Sequence, residues 1–103
     1  MTKISIKKVD NLIQVIKVSG HSGYANKGSD IVCSSITTAM YVSYGMLDKA
    51  KCDFTFTADE AKPFMELKIN KSNDITKLVM ENLVDVLEGI AFDYKANVTI
   101  INE

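Results

Sequence analysis

Apolar residues recur along the chain at two periods, and the switches between them mark the elements. Residues 3–9, Lys-Ile-Ser-Ile-Lys-Lys-Val, alternate with period two, the signature of a half-buried strand. Asp10-Asn11 is a turn dipeptide. Residues 12–19 are a second β-rich run, so the two runs predict a hairpin. Residues 20–30 hold Gly20, Gly23 and Gly28 with Asn26, Ser29 and Asp30, a composition that predicts a loop. The period then becomes helical: Val32, Ile36, Ala39, Met40, Ser43 and Leu47 share a face, with Ser29 or Asp30 as the N-cap and Gly45 and Asp48 at the fraying end. Residues 51–57 alternate again, placing Cys52, Phe54 and Phe56 on one side. Thr57 to Lys62 read as a polar turn, and residues 64–70 alternate with Met65, Leu67 and Ile69 inward. A second helix, capped by Ser72 or Asn73, carries the stripe Ile75, Leu78, Val79, Asn82, Leu83, Val86, Leu87 and Ile90. Residues 95–101 close with a strand bearing Ala96, Val98 and Ile100.

The order is therefore β-β-α-β-β-α-β. Strands that alternate in polarity bury one sheet face only, so both helices are expected on that face. The fold class is α+β: two layers, with an antiparallel or mixed sheet. At 103 residues the chain is expected to form a single domain.

Composition narrows the function. An apolar content of 47% with net charge −1 excludes a mainly disordered chain. No run approaches the ~20 apolar residues of a membrane span, and the amino terminus alternates instead of forming a signal block. A cytoplasmic protein without a membrane partner is expected, with Cys33 and Cys52 as thiols and no disulfide between them. All 12 basic residues are lysine, set against 13 acids, and no dense basic patch appears, so direct nucleic-acid binding is not expected.

One segment concentrates chemistry: Gly20-His21-Ser22-Gly23-Tyr24-Ala25-Asn26-Lys27-Gly28-Ser29-Asp30-Ile31-Val32-Cys33. It contains the one histidine and a cysteine expected in a helix's first turn, where unbonded amides and the helix dipole stabilise a thiolate. A glycine-bearing loop between them can fold His21 over Cys33, making a nucleophile and its general base. A surface-loop histidine and a helix-packing cysteine are the plain alternatives. No metal is expected, since His21, Cys33 and Asp30 lack paired-ligand spacing. Cys52 reads as a core residue. The chain shows no cofactor motif.

The run Gly20-His21, Gly28, Asp30-Ile31-Val32-Cys33 and then Ser34-Ser35 resembles the signature of the ribosomal-processing cysteine protease family (Prp), and the likeness extends along the whole chain. The resemblance implies a cytoplasmic endopeptidase that removes an N-terminal extension from bacterial large-subunit ribosomal protein number twenty-seven. The cut falls after paired aromatics and before a small residue. It implies Cys33 as nucleophile, His21 as general base and acid, a role for Asp30, a mobile loop between His and Cys, and a homodimer. Where many members carry Ala after the His and the Cys, this chain has Ser22, Ser34 and Ser35. Asp30 either orients His21 or caps the helix. Gly20, Gly23 and Gly28 are hinge candidates for a gating loop. Tyr24 either covers a substrate side chain or packs on the surface. Tyr41 and Tyr44 are candidates for a dimer face, and Met40, Met46 and Met65 read as core. Two rivals remain at this level: a ribosome-associated binding module without turnover, and a redox-responsive thiol protein whose resolving thiol would have to be Cys52.

Overall fold

The computed structural model describes residues 1–20 and 27–103, with the side chains of 27–30 left aside. Its elements follow the expected order: β1 (Thr2–Val9), β2 (Leu12–Ser19), α1 (Lys27–Lys49), β3 (Asp53–Asp59), β4 (Phe64–Lys71), α2 (Asp74–Asp93) and β5 (Val98–Asn102). The sheet is mixed, with strand order β3-β4-β2-β1-β5; β1 pairs with β5 in parallel and every other pairing is antiparallel.

Local chemistry sets each boundary. Asp10 and Asn11 both take positive φ (53° and 65°), the two left-handed residues that a tight hairpin turn with strand-matched twist requires. Asn73 begins α2 with a capping box. Its side chain accepts from the Thr76 amide at 2.8 Å, while the Thr76 hydroxyl accepts from the Asn73 amide at 2.8 Å. Helix α1 begins at Lys27, two to three residues before the expected cap. Ser29 and Asp30 thus lie inside the helix and neither is its N-cap. Gly28 lies in the first helical turn and not in the loop. A single glycine costs about 1 kcal/mol in a helix, too little to stop a turn continuous with a strongly packed stripe.

Ile4, Ile6, Ile16, Val18, Leu67, Ile69 and Val98 from the sheet meet Val32, Ile36, Met40 and Leu47 of α1 and Val79, Met80, Leu83 and Leu87 of α2 in one buried core. The α1 stripe is as the periodicity predicts. The α2 stripe is rotated. Thr76, Met80 and Val84 are buried, whereas Ile75, Leu78, Asn82 and Val86 are exposed. Apolar residues cover more than half of this helix, so period alone leaves open which part meets the sheet. Strand β3 starts after Cys52 and runs two residues past the expected turn at Thr57; Cys52 is half-buried against the core just outside the strand. Ala96 precedes β5.

The tyrosines of α1 pack against the rings of β3, Tyr44 half-buried and Tyr41 still exposed. Tyr44 is half-buried, with its ring 5.7 Å from Phe54 and 4.9 Å from Phe56, and Tyr41 meets Phe56 edge-on at 5.2 Å. They bind α1 to β3. Met40 is core, Met46 is exposed, and Met65 is half-buried beside the site described next.

Candidate active site

The site lies where the carboxyl end of β2, the start of β4 and the first turns of α1 converge. Cys33 is half-buried on α1, one turn before Thr37 and just after Val32, whose burial fixes the helix against the sheet. Beside the thiol is an apolar cavity of about 180 Å³. Cys33, Ile36 and Thr37 form its helix side, and Val18 with Gly20 its β2 side. Pro63, Phe64 and Met65 close it from β4, with Thr2 at its inner end.

Gly20 is held from two directions. Its amide donates to the Pro63 carbonyl at 3.2 Å, and its φ of +83° lies in the region that favours glycine. A Cβ there would sit 2.8 Å from the Met1 carbonyl oxygen. The end of β2 is thereby seated between β1 and the approach to β4, which fixes the point from which the chain departs towards His21. Thr2 is held by its amide, which donates to the Asn97 carbonyl at 2.9 Å. Its hydroxyl is buried and has no hydrogen-bond partner among the described residues.

Of the expected site residues, the structure places Cys33 and Gly20 on opposite sides of one cavity. His21, Gly23 and Tyr24 lie outside the described residues, as does the Asp30 side chain. Cys33 is the seventh residue of α1, so it stands in the second turn and not the first as expected. The amides a helix leaves unbonded are those of its first four residues, here 27–30, so the Cys33 amide is not among them. Any oxyanion donors supplied by this helix end come from the preceding turn. The departure at Ser35 is absorbed locally, since its hydroxyl donates to the Ile31 carbonyl one turn back at 2.8 Å. Sequence reading missed Thr2, Thr37, Pro63 and Phe64. They come from three separate segments, and only the folded sheet brings them to the thiol. Among the described residues no group of His, Cys, Asp and Glu is arranged to hold a metal ion, and no helix is long and apolar enough to cross a membrane.

Comparison with known proteins gives the family and the fold. The family described as cysteine protease Prp matches residues 1–99. No curated protein sequence matches. Among solved structures, the chain is similar to an essential ribosomal processing protease Prp from S. aureus in complex with a covalently linked product peptide (18% identity, TM-score 0.89). It is also similar to the S. aureus protease with a substrate peptide (17%, TM-score 0.90). In both cases each chain is covered completely. A Streptococcus mutans protein is similar at 22% identity and TM-score 0.85, over 100% of this chain and 96% of its own.

Proposed function

The chain belongs to the Prp family of cysteine proteases, and from that premise we propose that it removes the N-terminal extension of large-subunit ribosomal protein twenty-seven, with Cys33 as nucleophile and His21 as general base. The observation that carries this reading is the half-buried thiol of Cys33 at an apolar cavity large enough for one aromatic ring. A cavity of about 150 Å³ lined by aliphatic and aromatic groups accepts benzene, so 180 Å³ suits the side chain before the scissile bond.

The chemistry is acyl transfer. His21 takes the Cys33 proton, and the thiolate sulfur attacks the scissile carbonyl carbon. The tetrahedral oxyanion collapses, the C–N bond breaks, and His21 returns the proton to the leaving amine. The thioester is then hydrolysed by a water that His21 deprotonates, restoring the thiol and releasing the carboxylate. Asp30, with the cap position lost to it, is assigned to orienting His21. Gly20 and Gly23 serve as hinges of the segment that closes over the peptide, with Tyr24 covering an aromatic side chain. The 103 residues act as one catalytic domain in the cytoplasm, without metal, cofactor or nucleic acid. They pair as a homodimer: the two helices pack on each other and leave Val42, Met46, Ile75, Leu78 and Val86 exposed, an apolar surface suited to a second copy.

The test is a synthetic peptide with two adjacent aromatics followed by alanine, incubated with wild type, Cys33→Ala and His21→Ala and read by mass spectrometry. Cleavage after the second aromatic by wild type alone is expected. Binding without cleavage by every form would replace the protease reading with a binding module, and cleavage by Cys33→Ala would move the nucleophile elsewhere.

A further inference from the structure

The face of the sheet turned away from the helices carries a polar cavity of its own, of about 280 Å³. Ile4, Ile6, Ile16 and Leu67 are buried towards the helices, so the residues that alternate with them face outwards. Two cross-strand rows form the floor. Ser5, Lys17 and Glu66 stand opposite one another in the first row, and Lys7, Val15 and Lys68 in the second. The first row is balanced within itself. Lys17 Nζ lies 3.9 Å from a Glu66 carboxylate oxygen, and the Ser5 hydroxyl donates to Glu103, the other acid at the cavity. The second row holds no acid. Lys7 and Lys68 flank Val15, both exposed, and among the described residues neither is in an ion pair.

No run of the sequence contains this patch; β1, β2 and β4 assemble it. Lys17 is the diagonal neighbour of both Lys7 and Lys68, so three ammonium groups gather around one valine. Lys7 and Lys68 are two inter-strand spacings apart, roughly 10 Å between backbones, which long side chains on either side of Val15 can span to reach one small ligand. A backbone irregularity adds a donor at the same place. Lys7 faces Val15 while Lys8 faces Ile13, so Gln14 is the extra residue of a β-bulge. In a regular strand Gln14 would point to the face opposite Val15, yet both line this cavity. The bulge thus brings a side-chain amide to the two free lysines. No aromatic residue lines the cavity, so nothing there stacks on a base, and recognition is by charge and hydrogen bonds.

We propose that this cavity is an anion site that takes a small, doubly charged phosphate, held over Val15 between the ammonium groups of Lys7 and Lys68 with the Gln14 amide as a third donor. Lysine serves phosphate as a point charge, and two such charges on opposite sides of one ligand favour a dianion over a monoanion. The acids set the size limit. Glu66 and Glu103 stand in the neighbouring row, so a longer polyanion that extends across it meets like charge. The site is on the face of the sheet opposite the helices and Cys33, and none of its residues has a part in the proposed cleavage.

The experiment titrates the full chain with inorganic phosphate in mildly alkaline buffer at constant ionic strength and follows backbone amide shifts by NMR. Saturable shifts centred on Val15 are expected, half-complete at about 1 mM, with acetate at least about tenfold weaker. Lys7→Gln and Lys68→Gln are each expected to weaken phosphate binding about tenfold, and Gln14→Ala by about fivefold. Lys3 is exposed on the same strand but does not line the cavity, so Lys3→Gln is expected to leave binding unchanged. The replaced lysines are exposed; the amide spectrum of each variant reports its fold, and cleavage of the aromatic peptide is expected to match wild type. AMP is expected to bind no better than phosphate. Shifts that do not saturate, an equal response to acetate, or an equal loss in Lys3→Gln overturn the site and leave only the diffuse attraction of surface lysines. A tenfold preference for AMP overturns the small-anion assignment.

Discussion

Gly20 and Thr2 make opposite demands on substitution. At Gly20 any Cβ meets the Met1 carbonyl oxygen at 2.8 Å, and the positive φ is itself strained for other residues. Gly20→Ala is expected to cost about 1–3 kcal/mol, visible as a lower Tm, and to reduce peptide cleavage beyond what the loss of folded protein explains, because it moves the departure point of the segment carrying His21. Gly45 and Gly89 are the controls. Both are helical with open space where a Cβ would stand, so Gly89→Ala is expected to raise stability by about 0.5–1 kcal/mol in a denaturant titration. At Thr2 the buried hydroxyl has no partner among the described residues, and such a group costs about 1–3 kcal/mol. Thr2→Val keeps the branched shape and removes the hydroxyl, so chemical denaturation is expected to show a gain of about 1 kcal/mol. At this scale Cys33 was legible as a candidate because it shares one continuous segment with His21, and the structure places it at a cavity. Thr2, Pro63 and Phe64 were not, since no local pattern says which strand ends will meet.

Legibility among the elements follows how narrow each apolar pattern is. The first hairpin was read almost to the residue, because Asp10-Asn11 tolerates the left-handed conformation that neighbouring residues resist. The α1 stripe from Val32 to Leu47 was also read correctly, since Val32, Ile36, Met40 and Leu47 recur at helical spacing and all four are buried. Helix α2 was placed correctly and turned wrongly. Its outer face carries Ile75, Leu78 and Val86, so hydrophobicity gives a broad arc with no sharp centre, and Thr76 is buried by its role in the cap. Two predictions belong here. Asn73→Ala removes the side-chain acceptor of the capping box, leaving the Thr76 amide without its partner, and is expected to destabilise by about 1 kcal/mol in thermal unfolding. Leu78 is 68% exposed, so Leu78→Lys is expected to change stability by less than about 0.5 kcal/mol. Sedimentation velocity is expected to show that same variant as a monomer; an unchanged mass would remove α2 from the proposed dimer contact.

For the molecule as a whole, the sheet arranges what the helices alone could not. Strand β1 sits between β2 and β5, and β4 lies between β2 and β3, so the cavity beside Cys33 is built from the strands around β2 and β4 with α1 laid across their ends. The sequence indicated a mixed or antiparallel sheet but could not fix this order, because strand pairing between distant segments leaves no mark on local periodicity. The same order has a consequence in time. Thr2 lines the cavity beside Cys33, and its amide is held by the carbonyl of Asn97, next to β5. Closing that parallel pair joins segments more than ninety residues apart (Thr2 with Val98), one of the slowest kinds of contact for a chain to find. As this polypeptide is synthesised, its hairpin and helices can form while the edge of β1 is still uncovered, and the cavity beside the thiol acquires its inner end only when β5 docks. With Cys33 in its proposed role, a nascent chain that already displays the thiol is expected to cut only after β5 has docked, so its own biosynthesis delays cleavage.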